Sequence, residues 1–219
     1  IIMKTKILII LCLICFKYGE TQNKYVGVWE SASKSNIVHK PLLWSAFVNK
    51  NKAMENNGLR LNDFEVVKKG PLVRYAGSWR SGFGKTKLTK ALVWKDFLKK
   101  GEDLTKKGYR LIDFETFKKG GKQYYAGFWK KGSGSNIITK GLKWKDFLKK
   151  GEDLTKQGFR LTDFETYKKG SNYFYVGNWR SGSDSNLITK GLKWNAFLDK
   201  GEELTEKGLR LYDVEIIKI

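Results

Sequence analysis

The 219-residue chain has two cysteines, Cys12 and Cys15, and a single histidine, His39. Both cysteines lie in an apolar run, Ile7 to Phe16, that follows Met3, Lys4 and Lys6 and precedes the polar stretch 17–22. Ten residues is half of the roughly 20 that span a bilayer, so residues 1–21 are expected to be a secretory signal, with Met3 as initiator and no transmembrane anchor. The mature, secreted chain would then hold no cysteine, which excludes disulfides, thiolate catalysis and cysteine-ligated metals. One histidine builds neither a metal site nor a catalytic triad alone. No metal, no cofactor and no catalytic residue is therefore expected. No Asn-x-Ser/Thr sequon occurs, so N-glycosylation is not expected either.

Negative charge is scarce too. Asp and Glu number 22 against 43 Lys and Arg, for a net charge of +21. Yet 41% of residues are hydrophobic and eight are Trp, a composition that folds around a core and does not suit a disordered basic tail.

What dominates the sequence is a period of 50 residues, gap-free through the mature chain. Trp29, Trp79, Trp129 and Trp179 form one register, and Trp44, Trp94, Trp144 and Trp194 a second; together they are every Trp present. Repeats 22–70, 71–120, 121–170 and 171–219 follow, forming one integrated domain. In the third, Tyr124 to Trp129 alternates as a strand does, and residues 130–136 read as a loop. Thr139, like Thr89 and Thr189, reads as a helix N-cap. Trp144, Phe147, Leu148, Gly151 and Leu154 mark a buried helical stripe that Gly158 ends, and Phe159 to Tyr167 is a second strand. Lys168-Lys-Gly170 then turns into the next copy as a hairpin. The expected fold is α+β: four strand-loop-helix-strand repeats in a closed pseudo-fourfold ring of about eight strands with four helices. An open array is the alternative.

The pattern Tyr-x-Gly-x-Trp, a Gly-Ser loop, Leu/Ile-Thr, Trp-x-x-Phe, then Gly-Tyr/Phe/Leu-Arg-Leu-x-Asp-x-Glu resembles the bacterial tandem repeat module. That module stands beside the β-lactamase-like catalytic domain of secreted polyglycine hydrolases. The resemblance runs from residue 24 to 219 and is best at Gly108–Glu115 and Tyr125–Trp129. It implies an accessory interaction scaffold and supplies no catalytic residue.

Four sets of residues are candidates for function. The Trp44 register shares the helical stripe with Phe47 and its copies and reads as core. Trp29, Trp79, Trp129 and Trp179 read either as core or as a face on which sugar rings stack. The loops after them offer Arg80, Lys130, Arg180, Asn136 and Asn186, each loop leading toward a helix N-terminus that favours anions; plain solvated connections are the competing reading. Arg60 with Asp63, Arg110 with Asp113, Arg160 with Asp163 and Arg210 with Asp213 read as salt bridges between repeats. Glu65 and its copies would pair with these Asp as acid and base in a glycoside hydrolase, but four equivalent pairs suit structure better than catalysis. His39, in the place of Thr89, Thr139 and Thr189, reads as drift at a helix start.

Charge breaks the symmetry: residues 24–70 carry +4, 71–120 +8, 121–170 +7 and 171–219 none. The expected function is a secreted, non-enzymatic, lectin-like multivalent protein that binds a glycan or anionic polymer, with nucleic acid a secondary partner because of secretion. A structural or adhesive matrix protein is the alternative, and a carboxylate-dependent glycan hydrolase the third.

Overall fold

A computed structural model describes residues 36–183 and 187–209. The signal segment, Trp29, Asn186, Arg210 and Asp213 lie outside the described residues. Strand β1 (Asn36–Leu42), helix α1 (Trp44–Asn56), and strands β2 (Leu59–Lys69) and β3 (Leu72–Ser81) form the first unit. The second is β4 (Thr86–Leu92), α2 (Trp94–Lys106), β5 (Tyr109–Lys119) and β6 (Lys122–Lys131). The third is β7 (Asn136–Leu142), α3 (Trp144–Lys156), β8 (Phe159–Lys169) and β9 (Asn172–Ser181), and α4 (Trp194–Glu206) follows.

Each of the three complete units holds one antiparallel three-stranded sheet, ordered β1-β3-β2, β4-β6-β5 and β7-β9-β8. The closed ring of eight strands is therefore corrected to three separate sheets among the described residues. The physical reason is a third strand per unit. The Tyr-x-Gly-x-Trp strand is bonded along both edges, by its hairpin partner on one side and by β1, β4 or β7 on the other. Each sheet is thus complete within its unit and has no need to join its neighbour's. The hairpin turns fall at Gly70, Gly120 and Gly170, each with φ between 55° and 61°. These turns are where the sequence repeats were divided, so the folding unit runs instead from loop to loop: 36–81, 86–131 and 136–181.

The third strand also corrects the helix start. Thr89 and Thr139 lie in β4 and β7, and the helices begin five residues later, capped by Val93 and Lys143 without a side-chain bond. Irregular pairing between Thr139 and Leu142 lets the strand end in a turn toward α3. The helix ends agree with expectation: Gly58, Gly108 and Gly158 follow with φ of 75–82°, and their N–H groups return to Glu55, Thr105 and Thr155 carbonyls.

One face of each sheet is covered by its own helix. Phe97 packs at ring-centroid distances of 5.7 Å from Tyr125 and 6.0 Å from Trp129, and Phe47 and Phe147 repeat this geometry in their units. The other face packs on the preceding unit: Ala126 and Phe128 enter the first unit's core, and Val176 the second's. Between units, β2 packs on β5 and β5 on β8.

Candidate functional site

The strand tryptophans are core. Trp79, Trp129 and Trp179 are 0–1% exposed, so their rings offer no stacking face. The ring nevertheless takes two orientations. In the second and third units the six-membered edge lies over the helix glycine, Gly101 or Gly151, and Nε1 points toward Gly127 or Gly177. In the first unit the ring is turned over: its far edge faces Gly77, and Nε1 donates at 2.9 Å to Asn51, which stands in the glycine's place. Trp179 instead donates to the Thr139 hydroxyl at 3.4 Å. His39 takes that threonine's place in the first unit, so the two departures of that unit, His39 and Asn51, compensate each other. Trp129 Nε1 has no partner.

The repeated arginines tie loops to helix ends. Arg60 Nη1 donates to the Glu55 and Leu59 carbonyls at 2.9 and 2.7 Å, and its Nε to Gly84 of the next loop at 2.7 Å. Arg110 reaches Thr105, Tyr109 and Gly134 in the same way, and Arg160 reaches Thr155 and Phe159 through Nη1 and Ser183 through Nη2. Each helix-end carbonyl thus accepts twice, from the following glycine N–H and from the arginine, which ties the helix C-terminus to the next loop.

The repeated carboxylates serve the neighbouring unit. Asp113 accepts from the Phe64 N–H at 2.9 Å, and Asp163 from Phe114 at 2.8 Å. Glu115 accepts from Val66 at 3.3 Å and Glu165 from Thr116 at 3.2 Å. Because β2 and β5 are outer strands of their sheets, these carboxylates close edges that would otherwise present bare amides. Burial holds the Asp113 carboxyl well above the usual range, with the charges of Asp163 and Asp63 adding to the effect. Asp63 is raised as well, chiefly by burial, while its hydrogen bond with Asp113 and the nearby Arg80 act against the shift. The pair thus behaves as a structural ladder.

Among the loop candidates, Asn136 is drawn into a network between units: its Nδ2 reaches the Leu111 carbonyl at 3.2 Å and Asn178 Oδ1 at 2.9 Å. Asn178, fully buried, reaches the same carbonyl at 3.1 Å. Arg80 is exposed, and Lys130 and Arg180 are half-buried, on three different units. The loops that Arg80 and Lys130 open lead into β4 and β7, so the helix N-terminus expected beyond those two is not there.

What remains outside is basic. Lys95, Lys99 and Lys100 on α2 and Lys145, Lys149 and Lys150 on α3 are exposed, as are Lys118, Lys119, Lys122, Lys168 and Lys169 at the hairpin tips. Sequence reasoning counted these lysines in the net charge of their repeats without giving any of them a place in the site. Their signal was the contrast with Glu115, Asp163 and Glu165, which are buried. Among the described residues no group of three or more His, Cys, Asp and Glu could hold a metal, and no helix is long and apolar enough to cross a membrane.

Residues 92–132 and 140–181 match the family model described as polyglycine hydrolase-like, structural repeat. No curated protein and no solved structure matches the chain. The two matched segments start in the closing residues of β4 and β7 and end with a Tyr-x-Gly-x-Trp strand, so they keep the phase of the folding unit and not that of the hairpin-divided repeat. What the comparison shows is thus a similarity to that structural repeat in the second and third units.

Proposed function

We propose that this protein is a secreted, non-enzymatic binder of anionic polymers, sulfated or carboxylated glycans above all, and that the polymer is held by charge along the helices and hairpin tips of the middle units. The observation that carries this is the excess of exposed lysine on the middle units: Glu115, Asp163 and Glu165 are buried, and the exposed carboxylates of α2 and α3, such as Glu102, Asp103, Glu152 and Asp153, are outnumbered by exposed lysines. Residues 71–120 and 121–170 carry a net +8 and +7. Burial of the strand tryptophans favours charge over aromatic stacking as the means of recognition. Repetition adds avidity, because one polymer engages several units at once.

Retention on an immobilised sulfated glycan tests this. Binding should weaken steeply as ionic strength rises, since exposed charges are screened within about 8 Å at physiological salt. The quadruple variant Lys99→Glu, Lys100→Glu, Lys149→Glu, Lys150→Glu should elute at much lower salt while keeping its fold. Salt-independent retention, or equal retention of the variant, refutes the reading. Tighter binding to a nucleic acid of equal charge density would redirect it.

A further inference from the structure

The loops that leave the Tyr-x-Gly-x-Trp strands are built alike, and one of them carries an aromatic ring. Gly82-Phe83-Gly84-Lys85 joins β3 to β4, Gly132-Ser-Gly-Ser135 joins β6 to β7, and Ser183 holds the same place after β9. Gly84 and Gly134 share a positive φ, 92° and 81°, and each gives its carbonyl to the arginine that ties the loop to a helix end. The residue ahead of them is exposed in all three loops, as Phe83, Ser133 and Ser183. Serine suits water there. Phenylalanine does not, and at 89% Phe83 is the most exposed large hydrophobic side chain among the described residues.

The backbone on both sides of this ring is held. The Gly82 N–H donates to the Gly58 carbonyl at 3.2 Å, the Gly84 carbonyl accepts from Arg60 Nε at 2.7 Å, and the Lys85 carbonyl accepts from the Lys131 N–H at 3.1 Å. A Cβ at Gly84 would meet nothing within 4 Å, so the tip stands in open space. Cations gather beside it. Lys85 and Lys87 follow in sequence, Lys131 is joined to Lys85 through the backbone, and the Lys131 ammonium donates to the Lys107 carbonyl; all four lysines are exposed. Of the carboxylates in this region, Glu55 already accepts from Thr86 and Asn51, and Asp103 lies one turn back from Lys107 on α2.

We propose that Phe83 anchors the protein to an anionic phospholipid bilayer, its ring entering the boundary between headgroups and acyl chains while Lys85, Lys87, Lys107 and Lys131 meet the headgroup charge. The shape of the tip favours a bilayer over a sugar. Small-molecule sites are concave and place polar groups around the ligand, whereas Phe83 stands out between two residues that have no side chain. An apolar tip with a basic surround enters lipid without stranding a polar group, because long lysine side chains keep their ammonium groups at the headgroup level. The hairpin tips assigned to the polymer lie at the opposite end of the same sheet, since β5 and β6 run from the Tyr109↔Lys131 pair to the Lys119↔Lys122 turn. The inference therefore does not rest on polymer binding.

Cosedimentation with vesicles of phosphatidylserine and phosphatidylcholine tests this. The chain is used without residues 1–21, so that the apolar run 7–16 cannot itself enter lipid; no contact described above involves those residues. Phe83→Ser installs the residue that the other two loops carry, so it should keep the fold and lower the affinity about tenfold or more, as expected when a phenyl ring no longer leaves water. Phe83→Leu, apolar but unable to stack on a sugar, should keep most of the affinity. Lys85→Glu with Lys87→Glu should weaken binding, and phosphatidylcholine alone should not support it. Retention on a sulfated glycan should be equal for Phe83→Ser and the parent. Absence of binding to the anionic vesicles, equal affinity of Phe83→Ser or of the lysine variant and the parent, or equal binding to phosphatidylcholine alone refutes the proposal. A loss in Phe83→Leu as large as in Phe83→Ser, or a fall in glycan retention in Phe83→Ser, assigns the ring to stacking and overturns it too.

Discussion

Replacing Gly151 by alanine sets two forces against each other. Alanine in a helix interior is favoured over glycine by about 1 kcal/mol. Against this, the new Cβ would lie 2.8 Å from the Trp179 ring, well inside the 3.5–4.0 Å at which carbon atoms pack best. The ring has little room to retreat, being 1% exposed, 5.9 Å from Phe147 between centroids and bonded to Thr139. Overpacking of this kind costs about 1–3 kcal/mol, leaving a net loss of up to about 2 kcal/mol. The first unit shows the alternative, an indole turned over, but there Asn51 receives the N–H. An alanine provides no acceptor, and an unmet buried N–H costs about 1–3 kcal/mol. Gly151→Asn does provide one, so it should regain much of what Gly151→Ala loses. Thermal unfolding at equal concentration measures both, at about 2–4 °C per kcal/mol for a chain of this size. If Gly151→Ala raises the midpoint by the full propensity gain, or Gly151→Asn is the worse of the two, the account of the two ring orientations fails.

Asp113→Asn keeps an acceptor for the Phe64 N–H and removes a buried charge. A carboxyl whose folded pKa is raised gives stability that is present below its ordinary value near 3.8 and lost as pH rises through the folded value. The variant should therefore gain on the parent at pH 7 relative to pH 3 in urea titrations, and an equal offset at both would refute the shift. At Gly141 a Cβ would collide with the Tyr167 hydroxyl. Gly141→Ala should lower the melting temperature and Tyr167→Phe should restore it, reproducing the Ala91 and Phe117 pairing of the second unit; failure of the rescue removes the hydroxyl as cause. Arg110→Ala removes the arginine's bonds to the Thr105 and Gly134 carbonyls together, so hydrogen exchange should quicken at the end of α2 and in loop 132–135 at once; change at only one of them denies the tie.

The helix stripe, the glycine that ends each helix, the long hairpins and the repeat itself were legible in sequence because each has a local signature: spacing of three and four, a positive-φ glycine, alternation. The third strand was not, because Ile137-Ile-Thr139 is short, stands only five residues before the helix, and carries a threonine that suits a cap and a strand equally well. That omission propagated. Without β1, β4 and β7 the Tyr-x-Gly-x-Trp strand had a free edge, and joining units through it into a ring was the natural solution. Arg60 and Asp63 stood close in sequence and of opposite charge, which suggested a bridge. The backbone partners of Arg60 and of the equivalent Asp113 lie 24 and 49 residues away, at distances no local pattern reveals. The pairing of His39 with Asn51 was open to view, but it acquires meaning only once Trp79 is placed between them.

The carboxylate ladder has a direction: Asp113 and Glu115 accept from amides of the unit before theirs, and Asp163 and Glu165 do the same one unit on. Any junction that opens therefore bares neutral amides on the earlier unit, which water repairs at any pH, and frees carboxyls on the later one, which ionise more readily in solvent than when buried. Rising alkalinity should thus loosen every junction of the array alike, whichever end opens first.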